Sequence, residues 1–229
     1  MFPLRDTIPS EKAPVVNWLI MVLCICVFLF ESTLAQPELE DFLSSFGLVP
    51  AAFLAQPDAA QIERVFSSMF LHAGWAHVLG NMWFLFIFGD NVEDRLGHIG
   101  YLLFYLFSGI CAAATQVFVQ PDSHIAMVGA SGAISGVLGA YFVLFPQSRV
   151  VAIVPMGYFS RTAEVPAIIF LGLWFAMQLL PGLSSLAATT GDVGGVAFFA
   201  HVGGFVSGWI LAQFLPKDRA RPQDPYYSE

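Results

Sequence analysis

Apolar residues gather in six runs, at about 15–34, 75–92, 98–119, 129–145, 164–181 and 197–215. Each is near the length a helix needs to cross a hydrocarbon layer, about 20 residues at about 1.5 Å rise apiece. The fourth and sixth runs stop at Pro146 and Pro216, where a helix commonly ends. Only the segment 35–74 between runs is long. It alternates apolar clusters (Phe42, Leu43, Phe46, Leu48) with acids and prolines, a pattern suited to an outer interfacial loop. The pattern predicts an all-α membrane protein: a six-transmembrane-helix bundle over 15–215, with tails at 1–14 and 216–229. No internal repeat is visible, so an inverted-repeat transporter gains no support.

Composition sharpens this picture. Charged residues make up 11% of the 229 residues and hydrophobic ones 57%, where a soluble domain carries about a quarter charged. The net charge of −8 owes much to the acids between Glu31 and Glu63, and no cluster of Lys and Arg suggests a nucleic-acid partner. Cys24, Cys26 and Cys111 all lie inside apolar runs, poor material for disulfides or metal sites. The first run follows a polar stretch without a small-residue cleavage pattern and reads as a span, not a cleaved signal. Arg5, Lys12, Arg95, Arg149, Arg161, Lys217, Arg219 and Arg221 fall on one side of a six-span arrangement, with Arg64 alone on the other. The positive-inside bias then places both termini in the cytoplasm.

Polar side chains inside spans are costly and ask for a reason. His77 and Asn81 in span 2, Ser131 in span 4 and His201 in span 6 stand out. In the predicted orientation all four sit in the outer part of the bilayer at similar depth. Gly129, Gly132, Gly136 and Gly139 form one helical stripe on span 4. On span 6, Gly203 follows His201, and Ala200, Gly204, Gly208 and Ala212 make a second stripe. Such stripes let membrane helices approach closely, which would bring Ser131 within hydrogen-bond reach of His201 and activate the hydroxyl. A stripe alone signals packing, and a lone membrane serine bonds back to its own helix; the shared depth is what suggests a site. At a helix start the Ser131 N–H lacks an intrahelical partner and can meet a developing oxyanion. Asn81 and His77, four apart on one face, can donate to the same oxygen. No carboxylate joins these residues at depth, so a Ser–His dyad is the economical reading.

Gly129-Ala-Ser131-Gly132, Ala200-His201-Val-Gly203-Gly204 with Gly208, and His77-Val-Leu-Gly-Asn81 together resemble the rhomboid intramembrane proteases. His72 and Val92-Glu93-Asp94-Arg95-Leu96-Gly97 match the same pattern. The resemblance covers the six-span core and implies a rhomboid-like bundle. It implies a serine endopeptidase that hydrolyses a peptide bond in or beside a transmembrane segment of another membrane protein, toward the outer face. Ser131 is then the nucleophile, His201 the base and acid, and Asn81 and His77 the oxyanion donors. No metal or cofactor is implied; the partners are transmembrane substrates and the lipid bilayer, with a bacterial plasma membrane as the expected location. Span 5 and the loop 182–196 would form gate and cap by analogy. Two departures stand out: Ser135 occupies a position where many members stack an aromatic ring on the histidine, and the long loop lacks their Trp-Arg pair. Gly129-Ala-Ser131-Gly132-Ala133 also lacks the second glycine of a G-x-S-x-G esterase elbow. A non-catalytic client-binding relative, and a carrier using His72, His77, His98, His124 and His201, are the rival readings.

Overall fold

A computed structural model describes residues 1–157, 159–187 and 197–215. The fold is mostly helical, and each predicted apolar run contains a helix. Helix α1 spans Val15–Glu31, and α5 spans Trp75–Val119. Helix α6 spans Ser131–Leu144, α7 Ala167–Ala187 and α8 Phe198–Gln213. The long α5 is two helices in one: Gly97 adopts φ 70° and ψ 164°, a break only glycine makes cheaply. Its two arms are the predicted second and third runs. By length and composition, Trp75–Val119 and Ala167–Ser184 qualify as membrane-crossing helices, while Val15–Glu31 and Ser131–Leu144 are apolar but shorter. The predicted end of run five at 181 is passed, with Pro181 inside α7. Of the segment 182–196 expected to form a cap, 182–187 continue this helix and 188–196 lie outside the described residues, as does the tail 216–229.

Segment 35–74 carries three short helices, α2 (Gln36–Phe46), α3 (Pro50–Ala55) and α4 (Ala59–Ser67), then a 3-10 turn at Ser68–Phe70. Asp58 caps α4 by accepting from the Gln61 N–H at 2.9 Å.

The all-α expectation needs one amendment. Residues 149–163, read as a loop, and 164–166, read as the start of the fifth run, form a hairpin of β2 (Arg149–Met156) and β3 (Phe159–Pro166), and β1 (Phe2–Asp6) pairs antiparallel with β2. Val150, Val151, Ile153 and Val154 supply the β-branched residues that favour this pleated surface. The segment 1–14, read as a tail, therefore enters the sheet.

Helix packing follows the small residues. A Cβ on Gly204 would fall on the carbonyl of Gly132, one on Gly208 on the backbone of Gly136, and one on Gly139 on the carbonyl of Phe205. The stripes thus bring α6 and α8 into backbone contact. Gly132 and Gly136 also face Ala112 and Ser108 of α5, and Gly203 faces Thr115, so α6 and α8 are both clasped by the second arm of α5. Gly129 precedes α6 and is no part of its stripe. The outer surface remains apolar, with Leu19, Leu79, Leu103, Leu173, Met177 and Ile210 exposed.

At the far end from the first turn of α6, buried polar groups tie the elements together. Glu93 of α5 accepts from the Val16 and Asn17 N–H groups at 2.9 and 2.7 Å and from the His98 ring at 2.5 Å. It caps α1, whose own N-cap, Pro14, offers no side-chain acceptor.

Candidate active site

Ser131 opens α6 directly after a turn that only glycine fits. Gly129 has φ 123°, its N–H donates to the Ser68 carbonyl at 2.8 Å, and an added Cβ would stand 2.6 Å from Nε2 of His77. The segment before this turn is pinned by an isolated bridge, reciprocal backbone bonds between Leu48 and Met127 at 3.1 and 2.8 Å. The loop 35–74 thereby helps hold the start of α6. His201 lies in the first turn of α8. The Ala200 N–H beside it is taken up by the side-chain oxygen of Gln116, at 3.1 Å, which steadies that turn.

The Ser131 Oγ and His201 Nε2 are 2.7 Å apart. On its other side, Nδ1 of His201 is 2.8 Å from Oε1 of Gln178, on α7. An amide oxygen only accepts, so Nδ1 carries the proton and Nε2 accepts from the serine hydroxyl. Trp174, one turn before Gln178, places its ring 6.2 Å from the imidazole centroid at an interplanar angle of 40°. Ser135, at the position where many members of the resembling family carry an aromatic ring, is fully buried and donates to the Ser131 carbonyl at 2.6 Å.

These groups border a cavity of about 670 Å³ shared with His77 and Asn81. Asn81 is buried, and its Nδ2 has no hydrogen-bond partner among the described residues. His72 stands behind His77, ring centroids 5.2 Å apart and edge-on. Its N–H donates to the Glu31 carboxylate at 3.2 Å, and burial, aided by His77, lowers its pKa to about 4. His98 lies beside Glu93 and away from the cavity. Among the described residues no three His, Cys, Asp or Glu side chains cluster to hold a metal ion.

The structure thus gathers Ser131, His201, His77 and Asn81 around one space. Sequence reading passed over Gln178, Trp174 and Gln116. Gln178 and Gln116 carry the signal that found the others, a polar side chain within an apolar run.

Fold and cavity together define an apolar helical bundle with a hydroxyl–imidazole pair at one end. A family model described as the Rhomboid domain matches residues 59–217. The chain belongs to the rhomboid family, whose members are integral membrane proteins and generally serine proteases. It is 31% identical over 157 residues to "Rhomboid-like protein 11, chloroplastic" of Arabidopsis thaliana, covering 66% of this chain and 51% of that one. Identity to "RHOMBOID-like protein 1" of the same plant is 30% over 172 residues, covering 74% and 38%. Identity to "Inactive rhomboid protein 1" of Danio rerio is 32% over 171 residues, covering 74% and 17%. The chain therefore matches about half or less of the length of these curated relatives. They are plant and animal proteins and lend no support to a bacterial plasma membrane in particular.

Proposed function

We propose that this chain is an intramembrane serine endopeptidase acting through a Ser131–His201 dyad. Its substrates are membrane proteins, cut in or near a transmembrane segment toward the end of the bundle that holds the cavity. Six helices cross the bilayer and both termini face the cytoplasm, in keeping with the side on which Arg5, Arg149 and Arg161 fall. The observation that carries this reading is the 2.7 Å contact of Ser131 Oγ with His201 Nε2 beneath a cavity bearing an unspent Asn81 donor.

In this mechanism Oγ attacks the scissile carbonyl carbon while its proton passes to Nε2. The Asn81 amide, the His77 ring and the Ser131 N–H stabilise the oxyanion. Collapse breaks the C–N bond, His201 returns the proton to the leaving nitrogen, and water then hydrolyses the acyl-serine. The substrate helix must unwind locally, since its backbone groups are otherwise tied up within the helix.

The test is cleavage of a single-span substrate by the reconstituted protein, beside Ser131→Ala and His201→Ala. Both substitutions abolish cleavage and fluorophosphonate labelling while the fold is kept. Cleavage that persists in Ser131→Ala overturns the reading. A folded native protein that neither cleaves nor labels favours the non-catalytic client binder, the alternative that likeness to an inactive relative raises.

A further inference from the structure

Catalytic imidazoles need a partner for the ring nitrogen that does not touch the nucleophile. That partner fixes both tautomer and ring orientation, as the aspartate or asparagine does in other nucleophile–histidine sites. Here α8 and α6 provide no such partner: Ser135, one turn after the nucleophile, is spent on the Ser131 carbonyl. Among the described residues the side-chain acceptor at Nδ1 is Gln178 of α7, at 2.8 Å.

We propose that Gln178 is the positioning residue for His201, assisted by Trp174 on the same face of α7. This rests on the dyad proposed above and adds its third member. With Oε1 accepting from Nδ1–H, Nε2 is the basic nitrogen and points at the serine. Without that acceptor the ring can exchange tautomers, place N–H toward Oγ and lose the ability to take its proton. Trp174 limits tilting: it lies beside the imidazole and is itself held against Phe84 and Phe205, centroids 6.3 and 6.2 Å away. Residues 174 and 178 are one turn apart, so one helical face supplies both contacts. The support that many relatives draw from the helix bearing the nucleophile comes here from α7. The basicity of the dyad consequently depends on where α7 sits.

The test uses the full-length protein in detergent and reads the rate at which a fluorophosphonate labels Ser131. That small probe needs an activated serine and no substrate helix. Gln178→Met keeps the side-chain length and removes the acceptor; it slows labelling about tenfold, the scale of one lost orienting hydrogen bond. Gln178→Glu retains an acceptor and labels within about threefold of the native rate at pH 8, on the same hydrogen-bond scale. Met177→Ala, on the exposed face of α7, labels at the native rate. With substrate, Gln178→Met lowers kcat and leaves KM unchanged, as expected where only the transition state loses an interaction. Native-rate labelling of Gln178→Met overturns the proposal, as does equal slowing in the Met and Glu variants. Either result leaves the dyad standing so long as Ser131→Ala is unlabelled. Labelling that survives Ser131→Ala overturns the dyad itself.

Discussion

Asn81 brings a donor to the cavity without using it, since Nδ2 is buried and has no partner among the described residues. An unmatched buried donor costs about 1–3 kcal/mol, a cost that a folded protein bears where the donor has work to do. If that work is to hold an oxyanion, Asn81→Ala lowers kcat by about 100- to 1000-fold, or ~2.7–4 kcal/mol. The same substitution removes the unsatisfied group, so the unfolding temperature stays level or rises. A variant that loses stability while keeping kcat would show Asn81 to be structural. Ser131, His201, His77 and Asn81 were legible because each interrupts an apolar run near a helix start. Gln178 obeys the same rule but lies near the expected end of its span, where a long amide side chain ordinarily reaches solvent. Its pairing with His201 depends on how α7 leans against α8, which no local pattern encodes.

The helices themselves were readable from run length, and the α6–α8 contact from the spacing of small residues. Their clasp by α5 was not, because Ala112 and Ser108 sit in a helix without a glycine stripe of matching period. The sheet was missed for a different reason: β2 is apolar along much of its length and shows no two-residue alternation. Its partner β1 lies at the other end of the sequence, paired Phe2 to Ile153. The glycine contacts make a test at this scale. Gly208→Ala puts a methyl against the Gly136 backbone, which cannot yield as a side chain would. It destabilises by about 1–3 kcal/mol, the range for overpacking. Gly172→Ala, on α7, meets nothing within 4 Å and adds helix propensity. It stabilises by up to about 1 kcal/mol. Unfolding of the two variants in parallel checks both signs.

Across the whole molecule the cavity and the sheet occupy opposite ends of α6, whose 14 residues separate them by about 20 Å. Asp6 joins the sheet to the helices: its carboxylate accepts from Asn91 Nδ2 of α5 at 2.9 Å and from the Tyr141 hydroxyl of α6 at 2.7 Å. Burial, with a smaller contribution from the charge of Asp90, raises its pKa from 3.8 to about 7, against the lowering effect of the Tyr141 bond. The folded state therefore holds a proton that the unfolded state has released between about pH 4 and 7. Stability from this group is full below pH 4 and is lost as pH rises through 7. His72, lowered to about 4, acts in the opposite sense: below pH 6.5 the unfolded state binds the proton that the fold refuses. The two slopes oppose one another, so the Asp6 contribution is read as a difference from a variant that lacks it. Asp6→Asn keeps an acceptor for Tyr141 and abolishes one slope. Its stability relative to the native protein should climb by about 2–4 kcal/mol from pH 4 to 7.5, at ~1.36 kcal/mol per pKa unit. Denaturant titrations of both proteins at stepped pH measure that difference. A difference that stays flat means the Asp6 carboxylate is solvated, and the sheet is then not locked to α5 and α6 as the hydrogen bonds require.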